Sequence, residues 1–186
     1  MKESSNLFPG LLIQKGHCRI GYIAGPLHSS TMIDRLSGFR LALEQYGLEA
    51  FPQYIQQGSL TLESGYEVMK YFLSLPELPT AIIFANDQML FGGMKALAEK
   101  GIPIPEGMAV IGFDNVPLCS FVKPTVTSIE IPKYELGVAA TQLLFTLLQG
   151  QTPEYPVWFP VRLIERESTA TTVYTKIIQF SSKLRE

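Results

Sequence analysis

Polar side chains follow several short apolar runs of this sequence, and their types are those that hold a small polar molecule. Asp114 follows AVIGF, Asn86 follows TAIIFA, and Thr31 and Arg35 come soon after RIGYIA. A carboxylate, an amide and a guanidinium can together satisfy hydroxyl groups, which are both donors and acceptors of hydrogen bonds. These residues are therefore candidates for binding a neutral polyol such as a sugar.

The same residues have structural alternatives that their spacing leaves open. Asn86 and Asp114 could cap the helix or turn that follows each of them. Arg35 lies early in a predicted helix, where a surface salt bridge with Asp34 or Glu63 would serve equally well.

Catalytic and metal-binding patterns are not visible in the sequence. His17 and His28 lack metal-ligand spacing, although His28 lies in a loop that could touch a ligand. No phosphate-binding glycine motif occurs, and Gly92-Gly93 within a predicted helix indicates close helix packing instead. We expect no catalytic residue, no metal and no cofactor. An enzyme would have only Asp114 as a candidate base.

The composition predicts a globular protein that does not itself bind nucleic acid. Of 186 residues, 46% are hydrophobic and 17% are charged, which suits a packed core. The net charge of -2 lacks the basic excess of a nucleic-acid-binding domain. Pro9-Gly10 interrupts the apolar patch near the N-terminus, which makes a poor signal peptide, and no stretch is long enough to span a bilayer. The two cysteines, Cys18 and Cys119, are expected to be unpaired thiols in a reducing compartment. Together these features predict a cytoplasmic protein without a membrane partner.

The elements that must position the candidate residues alternate along the chain. Apolar runs without polar alternation, each followed by a helical pattern, predict an α/β fold with a doubly wound parallel sheet. In such sheets ligands bind outside the carboxyl ends of the strands. The predicted strands cover residues 19–24, 50–55, 80–85 and 108–113, and the predicted helices cover 30–47, 60–75 and 87–101. Ser30 is the expected N-cap of the first of these helices, and Gly47 its expected end.

The pattern changes after residue 120. Residues 125–131 predict a strand, and 133–149 predict a leucine-rich helix that begins near Pro132 and ends at Gly150. Residues 155–168, with apolar positions alternating over 157–163, predict a long final strand. This block has no evident sheet of its own. Residues 171–186 are polar with scattered apolar positions and receive no assignment.

Four successive stretches resemble the lac-repressor/galactose-repressor family of bacterial transcription regulators. They are RIGYIAGPLHSSTMIDRLSGFRLAL, PTAIIFANDQMLFGGMKALAEKGIPIPEGMAVIGFDN, PTVTSIEIPKYELGVAATQLL and RLIERESTA, and the resemblance runs from about residue 6 to 170. It implies a periplasmic-binding-protein-like fold of type I, with an effector held between two lobes. It also implies a dimer or tetramer, and an N-terminal helix-turn-helix that binds operator DNA under allosteric control by the effector.

The resemblance also assigns roles to individual positions. Four residues match effector-contacting positions of the family: Thr31, Arg35, Asn86 and Asp114. Leu60 falls where many members place an aromatic ring against the ligand, and Ile131 falls where some carry a polar contact. These departures predict either an effector less sugar-like than usual or weaker binding.

By this resemblance, the DNA-binding head and most of the first lobe are expected to be absent, leaving one complete lobe and part of a second. Residues 1–16 would be the remnant of a first-lobe helix, 17–122 the C-terminal effector-binding lobe, 123–160 a first-lobe segment, and 161–186 the final strand and tail. The stretch FGGMKALAE resembles the family's dimer-forming helix. The predicted function is thus effector binding and oligomerisation in a transcription regulator. The alternative is a periplasmic-type sugar-binding protein of transport or chemotaxis.

Overall fold

Buried apolar runs form the centre of one six-stranded sheet in the computed structural model, which describes residues 7–153 and 157–170. The strand order is β2-β1-β3-β4-β5-β6, and every neighbouring pair is parallel except β5 with β6. The strands are β1 (Ile20–Ala24), β2 (Ile55–Gln57), β3 (Ala81–Phe84), β4 (Ala109–Phe113), β5 (Thr127–Glu130) and β6 (Arg162–Ile164). The helices are α1 (Leu7–Gln14), α2 (Ser30–Gln45), α3 (Leu62–Phe72), α4 (Asp87–Glu99) and α5 (Lys133–Leu148).

Helices cover both faces of this sheet, so the predicted doubly wound architecture is confirmed. On one face, Met69 of α3 and Leu97 of α4 are fully buried with Ile82 of β3. On the other face, Phe39 of α2 lies in a second buried cluster, and its ring stacks on that of Tyr22 at 4.9 Å between centroids. All residues of β1, β3 and β4 are buried, as strands covered on both faces require.

Helix α3 and helix α4 approach each other through glycine. A Cβ built on Gly92 of α4 would lie 1.9 Å from the Leu62 carbonyl oxygen, and one on Gly65 of α3 would lie 2.0 Å from the Met89 carbonyl oxygen. Both distances are far below van der Waals contact, so only glycine fits at either place. The prediction that close packing explains Gly92 is confirmed.

Two local assignments differ from the sequence-based expectation. Pro52 begins a 3-10 turn that ends at Tyr54, so strand β2 starts only at Ile55, after the residue that cannot donate to a sheet. Ser29, not Ser30, is the N-cap of α2, and its side chain makes no capping hydrogen bond. The helix ends as expected, with Gly47 at a φ of +70°.

Helix α1 packs on this sheet, which differs from the assignment of residues 1–16 to a first-lobe remnant. Leu12 is 0% exposed and lies in the same buried cluster as Ile20 and Leu36. Beyond the helix, buried His17 shares a hydrogen bond of 3.0 Å between its Nδ1 and Thr80 Oγ1. The burial of Leu12 makes α1 part of the same packed unit as β1 and α2. Residues 1–6 lie outside the described part of the chain.

Strand β5 also joins this sheet, although residues 123–160 were expected in another lobe. Ile111, Gly112 and Phe113 of β4 pair in parallel with Thr127, Ser128 and Ile129 of β5. Residues 157–163 do not form one long strand, because pairing is confined to Arg162–Ile164. The chain returns to this sheet through β6, which pairs with β5. The wider division into two lobes stays a prediction, and residues 171–186 lie outside the described part.

Helix α5 follows β5 but contributes no buried residue. Its exposed side chains include Leu144, Phe145, Leu147 and Leu148, with exposed fractions from 52% to 73%. An apolar helix is ordinarily covered by protein or lipid. Within residues 7–153 and 157–170, no helix is both long and apolar enough to cross a bilayer.

Candidate functional site

The candidate residues gather at the carboxyl ends of β1, β3 and β4. Asp114 directly follows β4, Asn86 follows the residue after β3, and Arg35 lies in the second turn of α2. Arg35 Nη1 donates a hydrogen bond of 2.7 Å to the carbonyl oxygen of Ala85 at the end of β3. The structure therefore brings the three ends together at one edge of the sheet.

The planar guanidinium of Arg35 packs against the ring of Phe113, the last residue of β4. The central carbon of its guanidinium lies 3.4 Å from the centroid of the Phe113 ring, which is a close cation–π contact. Burial lowers the pKa of the Arg35 guanidinium, while the charges of Asp114 and Tyr22 act in the opposite direction. Arginine stays protonated in such a setting. The site thus holds a fixed cation whose orientation is set by Phe113 and Ala85.

Asp114 stands in an unusual backbone conformation. Its φ is +107° and that of Asn115 is +48°, both in the region that residues with a side chain seldom adopt. The Asp114 N–H donates to the carbonyl oxygen of Ile129 at 2.9 Å, and Lys133 Nζ donates to the Asp114 carbonyl oxygen at 2.5 Å. Burial raises the pKa of the Asp114 carboxyl, against the opposing charge of Arg35. A half-buried carboxylate beside a fixed guanidinium can accept hydrogen bonds from ligand hydroxyls.

Asn86 takes the capping role that the sequence left open. Its Oδ1 accepts a hydrogen bond of 3.0 Å from the Met89 N–H at the start of α4, and its Nδ2 donates to the Leu60 carbonyl oxygen at 2.9 Å. Leu60 has a φ of +67° and is partly buried at this edge. Asn86 therefore joins the loop that carries Leu60 to α4, and its contact with an effector stays a prediction.

The remaining predicted positions lie around the same edge. Thr31 is exposed in the first turn of α2, and His28 is exposed in the loop before it. Ile131 is partly buried just after β5. No described contact assigns a role to these side chains, so their predicted contacts with an effector stay predictions.

A fully buried carboxylate, Asp87, is the main residue that the sequence analysis missed. Asp87 Oδ2 accepts a hydrogen bond of 2.9 Å from the Val116 N–H, and Oδ1 accepts one of 2.7 Å from Ser128 Oγ. A Cβ built on Gly112 would lie 2.0 Å from Asp87 Oδ1. Glycine inside a strand often marks such a close approach, and Gly112 within AVIGF was the available signal.

Arg166, from the segment after β6, completes the polar contacts around Asn115. Its Nη2 donates to Asn115 Oδ1 at 2.9 Å and its Nη1 to the Val126 carbonyl oxygen at 2.6 Å. Asn115 Nδ2 in turn donates to Glu130 Oε1 at 3.0 Å. The turn after β4 is therefore tied to β5 and to the chain that follows β6.

Cys119 is not placed as an activated nucleophile. Burial raises the pKa of the Cys119 thiol to about 12, which leaves it a protonated and poor nucleophile. Cys18 and Cys119 are both unpaired, as expected. No group of three or more histidine, cysteine, aspartate or glutamate residues in the described part of the chain could hold a metal ion.

A separate groove lies toward the amino ends of β4 and β5, away from the candidate site. It encloses about 310 Å³ and is lined by Met94, Ala98, Gly101, Ile102, Pro103, Ile104, Lys123 and Pro124. Lys123, its one charged side chain, bonds to Glu167 Oε1 at 3.1 Å. The groove offers no cluster of polar groups comparable to that around Arg35 and Asp114.

Residues 10–169 match the family of periplasmic binding protein-like domains. Among curated proteins, the HTH-type transcriptional repressor CytR of Escherichia coli (strain K12) is 41% identical over 140 residues. That match covers 75% of this chain and 41% of CytR. The chain thus spans less than half the length of this relative.

Solved structures give the same similarity in three dimensions. The transcriptional regulator CelR in complex with cellobiose is 31% identical with a TM-score of 0.81, and the match covers 90% of this chain and 50% of CelR. A dimeric lac repressor is 30% identical with a TM-score of 0.83, over 90% of this chain and 61% of the repressor.

Proposed function

This chain belongs to the periplasmic binding protein-like domain family, in its lac-repressor/galactose-repressor group, and from that membership we propose that it is the effector-binding region of a transcription regulator. CytR and the lac repressor are both named as repressors, which favours regulation over transport. Because the chain spans 41% of the length of CytR, operator binding is proposed for a helix-turn-helix outside this chain. A regulator of this kind acts in the cytoplasm.

The proposed effector is a small polar molecule, a sugar or sugar derivative, bound at the edge formed by β1, β3 and β4. The observation that carries this proposal is the convergence of Arg35 and Asp114, a fixed cation and a half-buried carboxylate, at that edge. The complex of the similar CelR with cellobiose supports a sugar as the ligand class. Leu60 supplies apolar contact without a ring. We propose binding without catalysis.

Replacing Asp114 by alanine should weaken effector binding about tenfold or more. A hydrogen bond to a charged group contributes about 1.5–3 kcal/mol, and about 1.4 kcal/mol corresponds to a factor of ten. Calorimetry with a panel of sugars, polyols, nucleosides and nucleobases would identify a ligand and then compare the two proteins. Asp34→Ala, which removes an exposed carboxylate from α2, is the matched control and should bind as the parent does. Equal affinity of Asp114→Ala and the parent would place the site elsewhere.

We expect this chain alone to bind no particular DNA duplex specifically. Its formal net charge is -2, and a DNA-binding module ordinarily presents a basic face to the phosphates. Gel shifts at low salt, with a helix-turn-helix regulator and its operator as the positive control, would measure this. Sub-micromolar affinity for one duplex over unrelated duplexes would contradict the expectation.

A homodimer is proposed as the assembly. Helix α4 resembles the family's dimer-forming helix, and the similar lac repressor is dimeric. In the segment between β4 and β5, Phe121 and Leu118 are 80% and 48% exposed. Large exposed apolar side chains of this kind are common at interfaces between proteins.

A further inference from the structure

Asp87 is a buried carboxylate that accepts hydrogen bonds from the segment that follows β4 and from the neighbouring strand β5. It is the first residue of α4 and is 0% exposed. The amide groups at a helix N-terminus favour a negative charge there. Burial raises the pKa of the Asp87 carboxyl, while the bonds from Val116, Ser128 and Cys119 oppose this shift. Without such hydrogen bonds, a carboxylate buried this deeply would destabilise the folded chain.

The segment that Asp87 holds is the turn at Asp114 and Asn115. The Val116 N–H donates directly to Asp87 Oδ2 at 2.9 Å. The Asn115 N–H donates to Ser128 Oγ at 3.0 Å, and Ser128 Oγ donates its single hydrogen to Asp87 Oδ1 at 2.7 Å. Two successive peptide N–H groups are therefore fixed by one carboxylate, one directly and one through a hydroxyl.

That turn is unfavourable for the residues that form it. The φ values of +107° at Asp114 and +48° at Asn115 bring the Cβ close to the backbone, which is why glycine is usual in this region. Arg166 also bonds Asn115, but at the side-chain Oδ1, which leaves the N–H groups of Asn115 and Val116 to Ser128 and Asp87. Ile129 and Lys133 bond the N–H and the carbonyl oxygen of Asp114, while the contacts of the next two peptide N–H groups converge on Asp87.

We propose that Asp87 is a positioning residue for the effector site, one that holds the turn in its left-handed conformation and so keeps the Asp114 carboxylate beside Arg35. The inference rests on the proposed function, because it concerns how the proposed ligand-binding carboxylate is placed. Asp87 itself is fully buried and would not touch the ligand. Ser128 acts with it by carrying the bond to Asn115.

The test compares glycine with alanine at position 114 when Asp87 is present and when it is replaced. In the full chain with Asp87 intact, Asp114→Gly should be more stable than Asp114→Ala by roughly tenfold in the unfolding equilibrium constant, because alanine bears the cost of a positive φ and glycine does not. In the Asp87→Asn background the turn can relax, and this advantage of glycine should disappear. Urea unfolding followed by far-ultraviolet circular dichroism measures all four proteins.

Two further backgrounds keep the proposal falsifiable. Leu97→Ala weakens the buried layer under α4 without touching the turn, so the advantage of glycine should persist there undiminished. Ser128→Ala cuts the bond to Asn115 and should reduce the advantage even if Asp87→Asn fails to fold. A glycine advantage that is absent with Asp87 intact, or that survives unchanged in the Ser128→Ala or Asp87→Asn background, would overturn the proposal. Because no ligand is present, a failure here is distinct from a failure of Asp114→Ala to weaken effector binding.

Discussion

Adding a single methyl group at Gly92 should destabilise the chain by about 3 kcal/mol, at the upper end of the range for overpacked cores. The Cβ of alanine there would lie 1.9 Å from the Leu62 carbonyl oxygen and 2.7 Å from the Tyr66 backbone nitrogen. Both are backbone atoms of α3, so no side-chain rotation can relieve the clash, and α3 and α4 must move apart. Urea unfolding of Gly92→Ala against the parent measures the loss.

Gly137 provides the matched control, because it also lies inside a helix but faces open space. Nothing lies within 4 Å of a Cβ built on Gly137 of α5. Alanine there should stabilise the helix by about 0.5–1 kcal/mol, since it lowers the entropy of the unfolded chain. If Gly92→Ala and Gly137→Ala change the free energy of unfolding alike, the close contact between α3 and α4 is not real.

The effect of Gly92→Ala should extend to the candidate site. The loop before α3 carries Leu60, and Asn86 at the start of α4 bonds to the Leu60 carbonyl oxygen at 2.9 Å. If α3 and α4 separate, this bond lengthens or breaks. Packing between the two helices thus determines the relative position of two residues that the family resemblance assigns to the effector.

The central strands could be predicted because their local residue pattern indicates burial on both faces. β1, β3 and β4 are runs with no polar alternation, and each is followed by a helical pattern. Asp114 and Asn86 each follow one of these strands in the sequence. Because the carboxyl ends of parallel strands lie at one edge of the sheet, where ligands bind, their placement could be predicted from the sequence.

The place of β5 could not be predicted in the same way. A strand's own residues show that it has a buried face, but its neighbour is chosen by contacts distant in sequence. The pairing of Ile111 with Thr127 is supported by Ser168 Oγ, which accepts from the Thr127 N–H at 2.9 Å and donates to the Val110 carbonyl oxygen at 2.7 Å. Residues more than forty positions apart thus hold β5 beside β4.

For a related reason, the roles of the site residues could be predicted only in part from the sequence. A polar residue after a strand suits either a helix cap or a ligand contact, and Asn86 makes the cap. Asp87 adjoins Asn86 in the sequence, yet its role depends on Val116 and Ser128, which only the folded chain brings to it. Buried polar contacts between distant segments leave little trace in local spacing.

Self-association through α5 is the second large effect that we expect. The helix carries no charged side chain from Leu136 to Leu148, and none of its residues is buried. Contiguous apolar surface of more than a few hundred square ångströms is uncommon on proteins that remain monomeric. Light scattering at micromolar concentration should therefore show dimers or larger assemblies of the chain.

Replacing two leucines of α5 by charged residues should weaken association through that helix. Leu144 and Leu148 are 56% and 73% exposed and lie one helical turn apart. Leu144→Glu combined with Leu148→Lys keeps a favourable pair for the isolated helix, so the helix itself should persist. Burying a leucine contributes about 1.5–3 kcal/mol, and the loss of two should weaken association roughly a hundredfold.

The control carries the same charges on a different face of the same helix. Gln142→Glu with Thr146→Lys has the same spacing and should leave association nearly unchanged, which separates loss of apolar contact from a general effect of charge. If both double variants still associate as the parent does, the contact runs through another surface, such as the one around Phe121, whose side chain is 80% exposed.

Hydrogen exchange gives an independent measurement of how well α5 is covered. Backbone amides of α5 should be less protected than those of β4, because fraying of a helix with no buried side chain costs little free energy. A monomeric parent with α5 as protected as β4 would contradict the prediction, since it would require a cover for the helix within the same chain.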